Sequence, residues 1–237
     1  MDERAMGAGP GAESRVISGY VLAGGRSSRM GTDKAELRLG GRTLLEIAVG
    51  KLRRVCREVI VVGQRPVAPE GVRVIADRWT GCGPMGGMEA ALADAGALAG
   101  AGEGSALFFP VDMPLIPRAV VEGLAGVWRS SEAGVCLPVT DGVVQPLLCQ
   151  LRAEVLPEVR EALGRGAFKV RPLLEAAGVG RGGVLRTTIS TADRGSVWPG
   201  WMPSEAEWAL RELWFSNLNT PEEFARAEGW AGALPLL

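Results

Sequence analysis

Gly24, Gly25, Arg26, Arg29 and Lys34 follow directly on an apolar run, Val16 to Leu22. Glycines carry no Cβ, so a loop rich in them can bring backbone N–H groups close to an anion. Two arginines and a lysine within nine residues, 26–34, add positive charge. Together these residues suit a polyphosphate; a glycine-rich surface turn with solvated arginines is the plainer alternative. The stretch is not a Walker A loop, which needs a Gly-Lys-Ser/Thr ending. Here Lys34 follows Asp33, and Glu36 lies two residues beyond it.

A second chemical feature is Val111-Asp112-Met113-Pro114, which ends the apolar run Ser105–Pro110. Prolines on both sides stiffen that loop. A carboxylate there can hold Mg²⁺, which keeps several waters and takes one or two carboxylates plus substrate phosphates. A turn or capping aspartate fits the position as well. Lys34 and Arg29 can neutralise the β- and γ-phosphates of a nucleotide, or stand as a solvated surface pair. Asp77, at the end of Val72–Ala76, can face a ligand or cap the following turn. The Gly81–Gly87 segment is small enough for backbone amides to approach a ligand. Asn217 and Asn219 precede a final helix whose N-terminus they can stabilise.

Other chemistries are excluded or disfavoured. The chain has no histidine, so a Ser-His-Asp triad, a phosphohistidine and a His-ligated metal are ruled out. The net charge of −1 among 237 residues argues against a nucleic-acid partner. No run approaches the ~20 apolar residues of a membrane span, and the N-terminus lacks the succession of a signal peptide. Cys56, Cys82, Cys136 and Cys149 form no C-x-x-C pair. A zinc cage is disfavoured, and three of them read as core thiols of a reducing cytoplasm. Gly81-x-Gly83-x-x-Gly86 matches the dinucleotide fingerprint literally, with Glu103 about twenty residues on. Pro84 inside the loop and the gap after Ala76 weaken that oxidoreductase reading.

The elements that must position these residues follow from hydrophobic pattern. Val16–Leu22, Glu58–Gly63, Val72–Ala76 and Ser105–Pro110 are short, continuous apolar runs of the kind found in parallel strands covered on both faces. Between them, Thr43–Val55 sets Leu44, Leu45, Ala48 and Leu52 on one helical face. An Ala-rich helix is expected from about Met88 to Leu98. Pro117 suits a first helical position, with a helix over Arg118–Trp128. Val135–Val139 and Val143–Leu151 are expected to pair through an Asp141-Gly142 turn, giving the sheet an antiparallel portion. Helices are expected over Arg152–Leu163 and Val170–Ala177. Trp208–Phe215 reads as helix or strand. Thr220, Pro221 and Glu223 form a capping box for the last helix.

The expected fold is therefore α/β: three layers, a Rossmann-like and mostly parallel sheet with an antiparallel portion, and helices on both faces. Residues 1–15 read as a disordered tail. Residues 16–237 read as a single domain, with an irregular insertion at about 178–210. In such sheets ligands bind beyond the carboxyl ends of the strands where the strand order reverses. The 22–34 loop, Asp77, the Gly81–Gly87 turn and Asp112 all fall at such ends. That convergence points to one nucleotide site.

The pattern Leu-Ala-Gly-Gly-x-Ser-x-Arg-Met-Gly-x-Asp-Lys over 22–34 resembles the loop of nucleotidyltransferases that activate small molecules with an NTP. More narrowly, it resembles the molybdenum cofactor guanylyltransferases. The likeness covers roughly 18–150 and returns at 215–224. It implies that Leu22, Ala23 and Gly24 line the base and ribose, and that Gly25 belongs to the same cradle. It also implies that Lys34, Asp77 and the Gly83 segment contact the nucleotide, with Asp112 holding Mg²⁺ and the nucleotide. Asn217-x-Asn219-Thr-Pro matches an element near the active site, and Gln145-Pro146-Leu147 a segment facing the acceptor. The implied reaction is attack of a molybdopterin phosphate on the α-phosphorus of GTP, in the cytoplasm. Transient contacts with molybdoenzymes or cofactor-biosynthesis proteins follow from that role. Related enzymes using CTP on cofactors, sugars or isoprenoids share the loop. Arg26 stands at a position that varies in the family. Gly63-Gln64 replaces an Asn-containing pattern, which touches one base or ribose contact.

Overall fold

Each apolar run becomes a strand whose side chains alternate between two cores. The computed structural model describes residues 16–23, 33–64, 68–100 and 104–231. The tail 1–15 and the loop residues Gly24, Gly25, Arg26 and Arg29 lie outside them.

Strand β1 (Val16–Leu22) is followed by a small hairpin, β2 (Arg38–Leu39) and β3 (Arg42–Thr43), and then helix α1 (Leu44–Leu52). Strands β4 (Glu58–Val62) and β5 (Arg73–Ile75) lead to α2 (Pro84–Ala99), β6 (Gly104–Pro110) and α3 (Arg118–Arg129). Then come β7 (Val135–Thr140), β8 (Val143–Val144), β9 (Gln150–Arg152), α4 (Leu156–Gly164) and α5 (Val170–Val179). Strand β10 (Val184–Ile189), α6 (Glu205–Ala209) and α7 (Pro221–Ala231) close the chain.

Among the described residues the main sheet has eight strands in the order β10-β7-β9-β6-β1-β4-β5, with β8 paired to β7. The β1/β4, β1/β6, β4/β5 and β7/β10 pairs are parallel. Strand β9 runs antiparallel to both β6 and β7, and β8 antiparallel to β7. The fold is thus the expected mixed, mostly parallel sheet between helical layers.

The alternation is clean. Ile17, Val21, Val59, Val61, Leu107 and Phe109 face one core, shared with α1, α3 and the C-terminal tryptophans. Tyr20, Ile60, Val62, Ala106 and Phe108 face the other, shared with α2, α4 and α5. A period of two is hidden in sequences that read as uniformly apolar, because both faces are dry.

Several boundaries differ from expectation. Helix α2 begins at Pro84 rather than near Met88. The proline is its first residue, where a missing N–H costs nothing. Pro117 caps α3 rather than opening it. The expected strand Val143–Leu151 is interrupted. Gln145 still donates to the Pro138 carbonyl at 2.8 Å, but Pro146 has no N–H to continue the ladder. Asp141 and Gly142, at φ 47° and 84°, make the two-residue turn between β7 and β8. Arg152 ends β9 instead of starting a helix, and a 3₁₀ turn, Ala153–Val155, precedes α4. Trp208 lies in α6, and Arg211–Leu213 forms a 3₁₀ turn.

The largest difference concerns 178–210, expected to be irregular throughout. Val184–Ile189 is instead the edge strand β10, lying parallel to β7. Its β-branched Val184, Thr187, Thr188 and Ile189 suit a half-buried edge. Trp198, beyond it, packs on α3, where a Cβ at Gly123 would lie 2.2 Å from the indole.

Candidate active site

Strand register brings the candidate residues to one line. Pro110 pairs with Leu22, Leu22 with Val62, and Val62 with Ile75. Four strand tips therefore stand level, spanning about 14 Å at the usual ~4.8 Å between strands. Just beyond that row lie Val111-Asp112, Ala23, Gly63 and Ala76-Asp77.

The chain leaves β1 toward β4 and β5, then returns to place β6 on the other side of β1. The crevice between the tips of β1 and β6 is thus the topological switch point, where open α/β sheets hold ligands. Ala23 after β1 and the loop carrying Asp112 after β6 border it.

Within the crevice, Lys34 Nζ lies 3.6 Å from Asp112 Oδ2, with both side chains about one-quarter exposed. Lys34 opens a 3₁₀ turn, Lys34–Glu36, and the Asp33 carboxylate accepts from the Ala35 amide at 3.0 Å. Lys34 Nζ also donates to Asn219 Oδ1. The Leu218 amide donates to the Asp112 carbonyl at 2.8 Å. A segment more than a hundred residues away in sequence thereby grips both members of the pair.

Asn219 is itself fixed from behind. Its amide and that of Thr220 donate to Glu223 Oε2 at 2.7 and 3.0 Å, and Thr220 Oγ1 accepts from the Glu223 amide at 3.2 Å. The Asn219 amide is the main cause holding the Glu223 carboxyl below its ordinary pKa. The expected capping box is present, and Asn219 does more than cap. It orients Lys34.

Leu22 and Ala23 are half-buried at the tip of β1. The Ala23 amide donates to the Val62 carbonyl at 3.1 Å, carrying the ladder one step past the strand. Asp77 is half-buried beyond β5, with β4 and β1 between it and the Lys34–Asp112 pair. It occupies the far end of the row.

The Gly81–Gly87 turn serves two purposes. Gly83 caps α2 at φ 58°, ψ −145°, with open space where a Cβ would lie. Gly86 and Gly87 are small for packing: a Cβ on Gly86 would lie 2.6 Å from the Trp79 carbonyl. One on Gly87 would lie 3.2 Å from Leu22 Cδ2. Gly81 and Gly83 alone of the segment's glycines have open space where a Cβ would lie. Residues 76–83 separate β5 from α2, too long a link for a tight dinucleotide turn.

Gln145 and Leu147 are half-buried in the turn after β8. A shallow cavity of about 440 Å³ lies against α2 and α4, lined by Arg78, Trp79, Glu89 and Arg160. Glu89 Oε1 takes Arg160 Nε at 2.8 Å and Arg78 at 3.2 Å there.

Sequence reading missed Leu218 and left Asn219 undecided. The Asn-x-Asn spacing before a capping box is the signal for this segment, but its contact with Lys34 is a product of tertiary folding.

Residues 19–180 match the MobA-like NTP transferase domain. The chain is 34% identical over 170 residues to the protein named "Probable molybdenum cofactor guanylyltransferase" in Mycobacterium avium, covering 70% of this chain and 84% of that one. A protein of the same name in Chloroflexus aggregans is 32% identical over 226 residues, covering 92% and 96%. The fold is similar to that of molybdopterin-guanine dinucleotide biosynthesis protein A from Archaeoglobus fulgidus. The TM-score is 0.66 at 22% identity, over 92% of this chain and all of that one.

Proposed function

This chain belongs to the MobA-like NTP transferase family, among the molybdenum cofactor guanylyltransferases, and is a nucleotidyltransferase; on that premise we propose that it transfers GMP from GTP to the phosphate of molybdenum-bound molybdopterin. The observation that carries this reading is the Lys34–Asp112 pair, 3.6 Å apart at the switch point of the sheet.

In this reading an oxygen of the molybdopterin phosphate forms a bond to the α-phosphorus of GTP. The bond from that phosphorus to the α–β bridging oxygen breaks in line, and pyrophosphate leaves with the electron pair. A phosphate monoester has its second pKa near ~6 and is largely ionised at neutral pH. The attacking oxygen therefore needs no general base, which accords with a chain without histidine. What remains is positioning and charge neutralisation. Lys34 and Arg29 neutralise the β- and γ-phosphates. Leu22, Ala23, Gly24, Gly25, Asp77 and Gly83 bind the rest of the nucleotide. Asn219 keeps the Lys34 ammonium aimed into the crevice.

The donor set also fits Mg²⁺. Asp112 offers a hard, partly exposed carboxylate, and the described residues hold no cluster of three metal-binding side chains. A cation that uses one carboxylate and completes its shell with water and substrate phosphates suits such a site. When bound, Mg²⁺ supplies charge neutralisation at the phosphate oxygens. The four free cysteines accord with a cytoplasmic enzyme, whose product passes on through transient contacts with molybdoenzymes or cofactor-biosynthesis proteins.

Pyrophosphate release is measured with molybdopterin and Mg²⁺ plus GTP, CTP or ATP in turn. Release with GTP in clear excess over the others is expected. Preference for CTP overturns the guanine assignment, and no release with any NTP overturns the reaction.

A further inference from the structure

Lys51 is a lysine where an apolar residue would be expected. It lies on the inner face of α1, one turn beyond Ala48 and beside Leu52, and is 1% exposed. Dehydrating an ammonium is costly, and a methionine or leucine would fill the same face without that cost. What the lysine adds is donors. Its Nζ donates to the Pro114 carbonyl and, at 2.6 Å, to the Ile116 carbonyl.

Those carbonyls belong to the loop that carries Asp112. Within it the Met113 amide donates to Pro110 at 3.3 Å and the Ile116 amide to Met113 at 3.4 Å, two long, weak turns. Such a loop is poorly fixed by its own bonds. Lys51 holds it from the interior, and the Leu218 amide holds the Asp112 carbonyl at 2.8 Å. The peptide groups of the loop are thus tied down at Asp112, Pro114 and Ile116, and the Asp112 carboxylate lies 3.6 Å from Lys34 Nζ.

From this geometry we infer that Lys51 is a positioning residue: it anchors the 110–116 loop so that the Asp112 carboxylate meets the nucleotide-bound cation. The inference rests on the reading of Asp112 as the metal-holding residue. Lys51 touches neither cation nor substrate. Its effect passes through the backbone, as that of an outer partner orienting a metal ligand does. Among the described residues its buried Nζ is bonded to two peptide carbonyls and no carboxylate, and burial pushes its pKa down to about 7. A neutral amine still donates to both carbonyls, so the anchor persists on either side of that value.

The test is calorimetric titration of the full chain with GTP, in saturating Mn²⁺ and in EDTA. The ratio of the two dissociation constants measures how well the protein engages the cation. In Lys51→Met that ratio should fall about tenfold, the scale of losing an outer partner of a metal ligand, while the constant in EDTA stays within about twofold. Lys51→Gln carries no charge and is too short to span both carbonyls, and it should behave the same way if Lys51→Met does not fold. An unchanged ratio in a folded variant overturns the inference. So does an equal loss in Mn²⁺ and EDTA, or failure of both variants to fold, since either makes Lys51 a general structural residue. If the unsubstituted chain engages Mn²⁺ with CTP and not GTP, the guanine assignment falls and the ratios are read with CTP. If it engages Mn²⁺ with no nucleotide, both readings fall.

Discussion

Raising the pH from 7.0 to 8.5 should make this protein more stable, and Lys51 is the reason. Its pKa is held at about 7 in the folded chain by burial, against ~10.4 when unfolded. Across that window the unfolded chain carries a proton that the folded chain lacks. Once the folded amine is neutral, stability rises by about 1.4 kcal/mol per pH unit; since half of it is still protonated at pH 7, Lys51 contributes about 1.7 kcal/mol between 7.0 and 8.5. Three thiols, Cys136 and Cys149 buried and Cys56 half-buried, reverse the trend at higher pH. Burial raises the pKa of Cys56 to about 12, and raises those of Cys136 and Cys149 as well. As pH passes ~8.5 the unfolded chain loses thiol protons that the folded chain keeps. At ~8.5 half of those three protons are already gone and outweigh the one from Lys51, so stability should pass through a maximum near pH ~8. Urea unfolding at pH 7.0, 8.5 and 9.5, on the protein and on Lys51→Met, measures this. The rise from 7.0 to 8.5 should vanish in the variant while the fall above 8.5 remains. An equal rise in both proteins would show that Lys51 stays protonated, refuting the reasoning.

Two substitutions probe the frame around the site. Gly86→Ala drives a Cβ to 2.6 Å from the Trp79 carbonyl and should cost about 1–3 kcal/mol. Gly126→Ala, at an exposed position of α3 with open space around it, should stabilise by about 0.4–1 kcal/mol; thermal melts distinguish the two. Asn219→Ala removes the acceptor that aims Lys34 but leaves the backbone bond to Glu223. Steady-state kinetics should show the KM for nucleotide rising about 3- to 10-fold, the scale of a partly exposed hydrogen bond to a charged group.

The strands and the switch point were legible because β1, β4 and β6 are apolar enough to declare themselves. The spacing of glycine and cationic residues after β1 carried the family likeness that the relatives bear out. Other parts could not be read locally. Val184–Ile189 alternates weakly and follows the glycine-rich 180–183 stretch, so its strand character emerges only from pairing with β7. Pro84 and the glycines after it look like loop residues, whereas in the folded chain they are a helix start trimmed to fit Trp79 and Leu22. Lys51 breaks the apolar stripe of α1, a signal that was present; its partners sixty residues away were not. The same holds for Leu218 and Asn219, whose contacts with Asp112 and Lys34 exist only once α7 has docked.

The central claim is that Asp112, held at the tip of β6, supports nucleotidyl transfer. Pyrophosphate release with Mg²⁺, GTP and molybdopterin, measured on Asp112→Ala, tests it most directly. Loss of an outer partner of a metal ligand already costs ~10–100-fold, so loss of the ligand itself should cost on the order of 100-fold or more. The melting temperature should barely change, since a partly exposed ion pair contributes at most ~1 kcal/mol. Full turnover in a folded Asp112→Ala protein would contradict the account.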